Sequence, residues 1–268
     1  MTTSFMTTVT ARQMIFAEIL KLRRHRSTML TAGVLSIGIT VLYFLVIESR
    51  SNGGIPVPKA LSSGSALLAM YFGSFTAMLI GTMAGTLDVT SGVFRDLVAT
   101  GRSRIDLFLV RVPAAVAVSL AFNLVGFAVS VFAALAGGGG SAEPALIAQY
   151  AGWVVLATTV VTALSVGIAT LTGSRSLTLT AVIGWQTVAT TLLYSAEFLG
   201  SLRQGLLEVA LSQLRPGLAV GTHEHPGSSN ALPGLVLPMS TVTAILVLAA
   251  WAVLPIVVGA RRIQNQDA

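Results

Sequence analysis

Six apolar runs without a charged side chain constrain this sequence more than any other feature: Thr28–Ile47, Ala66–Leu87, Val112–Ala136, Tyr150–Thr172, Leu177–Ala196 and Met239–Gly259. Each is near the ~20 residues that a helix needs to cross a bilayer. The chain is 54% hydrophobic and 10% charged, whereas a soluble domain carries about a quarter charged residues. Too few charges remain to clothe a globular surface, so lipid must cover much of it. The expected fold is all-α: one polytopic membrane domain, residues 1–268, with six transmembrane helices.

The basic residues support an orientation. The net charge is +6, but the lysines and arginines are spread over the span ends. A nucleic-acid partner would call for one basic face with aromatics. With the N-terminus inside, 12 of the 16 basic residues fall on the cytoplasmic side, as the positive-inside bias requires. Outside lie Arg50, Lys59, Arg203 and Arg215. This orientation puts both termini in the cytoplasm and the protein in the cell membrane. The first run is long enough to span and no A-x-A cleavage pattern follows it, so it should serve as an uncleaved signal anchor. There is no cysteine, which excludes disulfides and thiolate metal sites.

The connections differ in character. Residues Ala11–Arg26 place Ile15, Ile19 and Leu22 on one helical stripe, widened by Phe16 and Leu20, with Glu18, Lys21 and Arg24 opposite. This suggests an interfacial helix whose long basic side chains snorkel towards phosphates. Glu48–Ser65 holds NGG and P-V-P and reads as a loop. In the external segment 197–238, Leu199, Leu202, Leu206, Ala210 and Leu214 form a stripe that stops before Pro216. The stripe predicts a short external or partly re-entrant helix between spans five and six, with Leu202, Leu206 and Ala210 as its buried face. His223-Glu224-His225 offers borderline metal ligands. Alternating residues in a Pro/Gly-rich external loop are usually just solvated, so no metal site is expected.

Chemistry of its own is hard to find in this chain. Lys21 follows Leu20 and Lys59 follows Pro58, so neither belongs to a Gly-Lys-Ser/Thr phosphate loop. There is no HExxH, and the spans hold neither paired aspartates nor a Ser/His pair. The strongest polar side chains within the spans are Asn123 and Gln186, read either as lining a substrate path or as bonding helix to helix. Gly81 and Gly85 form a GxxxG pair, a signal for close helix crossing. Trp153, near an outer span end, suits an interfacial anchor; Trp185 and Trp251 fall mid-span and should pack.

The segment Asp88–Arg111 carries seven charged residues between two apolar runs, and Val93, Leu97 and Thr100 recur at helical spacing. It reads as a short cytoplasmic helix facing a partner. Together with the six spans, the basic N-terminal helix and the long segment between spans five and six, it resembles the type-2 permease family of ATP-binding-cassette transporters. The family's acidic residue, glycine, leucine, Ser-Arg pair and following basic residue look like Asp88, Gly92, Leu97, Ser103-Arg104 and Arg111. Val93 stands where threonine is usual, and Thr100-Gly101 where proline is common. The resemblance implies a coupling helix in this segment, formed by Asp88, Gly92, Arg95, Asp96, Leu97, Arg102, Ser103 and Arg104, that docks on a separate nucleotide-binding ATPase. ATP and Mg would be bound by that subunit, and a second permease half, identical or a sister chain, would complete the exporter. Drugs, antibiotics, lipids or other amphiphiles are the implied cargo. The rival expectations are a secondary transporter, which would want ionisable groups in mid-membrane, and a non-transporting membrane anchor or regulator.

Overall fold

The computed structural model describes residues 3–50, 56–90, 103–137, 143–217, 237 and 239–265. Helix dominates these residues and no strand occurs among them. Six helices are long and apolar enough to cross a membrane: Arg26–Ile47, Val57–Leu87, Arg104–Ala136, Pro144–Thr172, Arg175–Ser195 and Thr241–Asn265. The protein is an all-α, multi-pass membrane protein. Each expected run lies almost wholly within one of these helices, and the helices extend beyond the runs because charged and polar residues at the ends can reach water.

Spans two and four form the inner pair. Most of span two and span four is buried inside the protein, whereas spans one, five and six leave most of their surface outward. An outward apolar face without a protein neighbour is what a lipid environment allows. Small residues bring the inner pair together. A Cβ on Gly81 would lie 2.8 Å from both Ser165 Cβ and the Thr162 carbonyl oxygen, so this face of span two meets the backbone of span four directly. Span six approaches span four in the same way, with Gly167 against the backbone of Pro255.

Three expectations need correction here. Residues from Val57 to Ser65 are helical, not loop: Pro56 precedes the first turn and Pro58 lies within it, where a missing N–H costs nothing. Span two is broken at Tyr71 (φ −121°, ψ −106°) into Val57–Met70 and Phe72–Thr90. Any Cβ at Gly73 would overlap the Leu68 carbonyl, so the break closes tightly only around glycine. The stripe of the external segment is also broken. A 3-10 helix covers Glu197–Gly205 with a non-helical Gly200, Leu206 is extended, and a separate helix runs from Leu207 to Gln213. Leu206 and Ala210 are buried as expected, but Leu202 is 75% exposed, because Gly200 and the extended Leu206 turn it off the common face.

The N-terminal helix runs from Thr3 to Arg24 and ends at His25. Leu22 is buried with Ile80, Met83, Phe108 and Ile263, and Ile19 packs against the same group. Phe16 and Leu20 remain exposed, and the Arg12 guanidinium lies 5.8 Å from the Phe16 ring centre.

Candidate functional site

Two places gather the residues that the sequence singles out. The first is the end of the bundle where spans two and three meet. Span two continues helically through Asp88 to Thr90. On the other side, Ser103 accepts a hydrogen bond from the Asp106 amide (3.1 Å) and caps a short helix, Arg104–Leu109. Phe108 from this helix enters the cluster with Leu22 and Ile263. Arg111, which follows, is fully buried where the long helix of span three, Arg111–Ala136, begins. Gly92, Arg95, Asp96, Leu97 and Arg102 lie outside the described residues, as does the Asp88 side chain. His223, Glu224 and His225 lie outside them too, and the described residues contain no group of three metal-ligating side chains.

The second place is the break in span two, on which Asn123 and Gln186 converge. A broken helix frees carbonyls that hydrocarbon cannot satisfy, so neighbouring protein must. Ser74 donates to the Ala69 carbonyl at 2.6 Å. Gln186 Nε2 donates to the Met70 carbonyl at 3.0 Å, and Asn123 Nδ2 to the Gly73 carbonyl at 3.1 Å. Asn123, 0% exposed, also donates to Thr158 Oγ1 and accepts from Ser36 Oγ, both at 2.9 Å. Its amide thus ties spans one, two, three and four into one knot. Gln186 sits in a π turn, Trp185–Ala189, that interrupts span five; Ser36 occupies another, Val34–Gly38, in span one. The two polar side chains therefore serve the same break, one from span three and one from span five.

Loss of the knot is measurable. Asn123→Leu keeps the branched shape but strands the Gly73 carbonyl and takes a partner from the Thr158 hydroxyl, while Ser36 retains only its bond to the Phe122 carbonyl. The expected cost is about 1–3 kcal/mol, since buried polar groups left unpaired lose their full solvation. A lowered midpoint of thermal unfolding in detergent is the check.

Over the break lies a residue that the sequence reading passed by. Glu208 stands in the short helix Leu207–Gln213 and is only 5% exposed. Gln186 donates to its carboxyl, while Glu208 Oε1 and Gln186 Oε1 have no hydrogen-bond partner. Trp185 Nε1, next in the π turn, is likewise buried without a partner. Burial pushes the Glu208 carboxyl up to about 8, against the smaller opposing pull of the Gln186 hydrogen bond. The signal was present in Leu206-Leu207-Glu208-Val209-Ala210-Leu211, one carboxylate in an apolar run, but it lies outside the six long runs.

Tryptophans hold this helix in place. Trp153 is buried, not an interfacial anchor, and its Nε1 donates to the Leu211 carbonyl at 2.8 Å. Arg215 lies 5.9 Å above the Trp153 ring and bonds Ser62 of span two through its Nη2. Trp251 Nε1 donates to the Gly205 carbonyl at 2.9 Å, and its ring lies 5.6 Å from that of Trp185. The described part of the segment between spans five and six, residues 197–217, is thereby folded back onto spans two, four, five and six.

Neither protein-family models nor curated proteins give a match to this sequence.

Proposed function

We propose that this chain is the transmembrane subunit of an ATP-driven exporter. It sits in the cell membrane with both termini in the cytoplasm, and a separate ATPase docks on the segment between spans two and three. One observation carries the reading: Leu22 of the N-terminal helix, Phe108 of the Ser103-capped helix and Ile263 of span six pack as one cluster around the ends of spans two and three. A push on a docking segment that joins those two spans would reach the N-terminal helix and span six at once. The charges of that segment, Arg95, Arg102 and Arg104 beside Asp88, Asp96 and Asp106, suit a protein partner, because complementary charges set register. Two such chains, or one with a sister permease, would enclose a path for amphiphilic cargo, and ATP and Mg belong to the partner.

The test is a charge reversal. Arg104→Glu turns attraction to acidic groups of the ATPase into repulsion. Removing one partner of a buried charged pair costs ~2–5 kcal/mol of binding, so docking should weaken by more than about tenfold. Arg175→Glu is the control; Arg175 is exposed and its Nη2 donates to Thr28 Oγ1 at 3.3 Å. The expected result is loss of the ATPase from Arg104→Glu preparations and its retention with Arg175→Glu, both variants reaching the membrane normally. Equal ATPase recovery with the two variants would remove this segment from the coupling role.

A further inference from the structure

We propose that Glu208 is a proton-binding site whose occupancy latches the helix Leu207–Gln213 over the break in span two. The carboxyl neighbours two interrupted spans: Gln186 of the π turn in span five bonds it, and Tyr71 at the break of span two feels its charge. Glu208 Oε1 and Gln186 Oε1 are both buried acceptors without a donor. A buried carboxyl oxygen without a donor is the place for a proton, because the neutral form avoids an unpaired charge in an apolar enclosure. Ionised, the group would be a buried charge with no ion-pair partner among the described residues.

The other titratable or charged groups on the surrounding elements do not change that balance. Tyr71 of span two feels the charges of both Glu208 and Arg215. Arg215 is committed to Ser62 and the Trp153 ring. Tyr150 of span four donates to the Pro216 carbonyl at 3.0 Å. Glu197 and Lys59 are exposed, and Arg203 bonds the Tyr194 and Gly200 carbonyls. Spans five and six meet the site with Gln186, Trp185 and Trp251, none of which titrates.

The helix is built to move as a piece. Leu206 before it is extended, and Gly217 after it adopts φ +80°. A side-chain hydrogen bond from Trp153 to the Leu211 carbonyl reaches the helix itself, and the Trp251 bond to Gly205 holds the turn before it; apolar packing of Leu207, Ala210 and Leu211 adds to that hold. When the proton passes to water, the carboxylate gains more from solvent than from its enclosure, because an unpaired buried charge is costly. The helix then leaves the break. This latch stands independently of the ATPase: a failure here leaves the coupling segment in place, and the reverse holds as well.

The chain has no cysteine, so Ser212→Cys, buried and nearly isosteric, introduces a single reporter thiol on the moving helix. Ser201→Cys, exposed on the 3-10 segment, corrects for the thiol's own pH dependence. The full chain in lipid nanodiscs is labelled with a water-soluble maleimide. From one pH unit below to one above a midpoint near 8, the ionised fraction rises from about a tenth to about nine tenths. The Ser212→Cys to Ser201→Cys labelling ratio should therefore rise about ninefold, and should stay flat once Glu208→Gln is added. A flat ratio in the native background, or an equal rise with Glu208→Gln, overturns the proposal. A midpoint that moves with sodium or potassium at fixed ionic strength also overturns it, in favour of a metal cation. Infrared difference spectra need no cysteine. A protonated-carboxyl band lost on raising the pH, and absent with Glu208→Gln, supports the proposal; its absence from the native chain at neutral pH sinks it.

Discussion

Replacing Gly85 by leucine should prevent spans two and four from closing, so that little folded protein survives extraction into detergent. A Cβ at this position would lie 2.5 Å from Ala169 Cβ and 2.8 Å from the Val166 carbonyl oxygen. The second contact is with backbone, which cannot rotate aside, so even Gly85→Ala must push the two helices apart. Overpacking of this kind costs typically about 1–3 kcal/mol, occasionally more, and leucine adds three more carbons in the same direction. The separation would also reach Gly81, one turn away on the same seam, because its neighbours Thr162 and Ser165 belong to the same stretch of span four. Gly152→Ala is the contrasting variant. It lies on span four with nothing within 4 Å of its Cβ, and alanine is favoured over glycine in a helix by about 0.5–1 kcal/mol. Apparent melting temperatures should therefore fall with Gly85→Ala and rise slightly with Gly152→Ala. A Gly85→Ala variant as stable as the native protein would mean that spans two and four do not cross there.

Periodicity and the absence of charge located every span, because solvation by lipid is a property of whole segments. Gly81 and Gly85 were likewise readable as a crossing. What the sequence hid depends on contacts between distant segments. Nothing in Met70-Tyr71-Phe72-Gly73 signals a break on its own; there is no proline, and the freed carbonyls are satisfied by Ser74, by Asn123 from span three and by Gln186 from span five. Asn123 and Gln186 were visible as unusual polar residues, but not that they serve the same break. Trp153 sits near a span end, as an interfacial anchor would, and is instead buried by a helix that follows it by more than fifty residues. The external stripe failed for a local reason. Gly200 and the extended Leu206 interrupt the helix, so spacing computed for one continuous helix put Leu202 on a face it does not share.

The stability of the folded chain should fall as the pH is raised, through Glu208. Its carboxyl titrates near 8 when folded, against an ordinary value of 4.5. Below 4.5 both folded and unfolded chains carry the proton, and this group's contribution to stability is fully present. Between 4.5 and 8 the unfolded chain gives up its proton while the folded chain keeps it, so each pH unit favours unfolding. Above 8 the folded carboxyl ionises too, and the loss levels off. At about 1.4 kcal/mol per pKa unit the loss has a ceiling on the order of 5 kcal/mol. Glu208→Gln stays neutral at every pH and nearly keeps the shape, so it should show no such slope. The useful quantity is the difference in melting temperature between the native chain and Glu208→Gln across pH, which cancels every other titrating group. The two should be close near pH 4.5, and Glu208→Gln should become increasingly the more stable up to about pH 8. A difference that does not change with pH would mean that Glu208 is ionised in the folded protein, which its apolar enclosure and unpaired Oε1 could not support without a cation beside it.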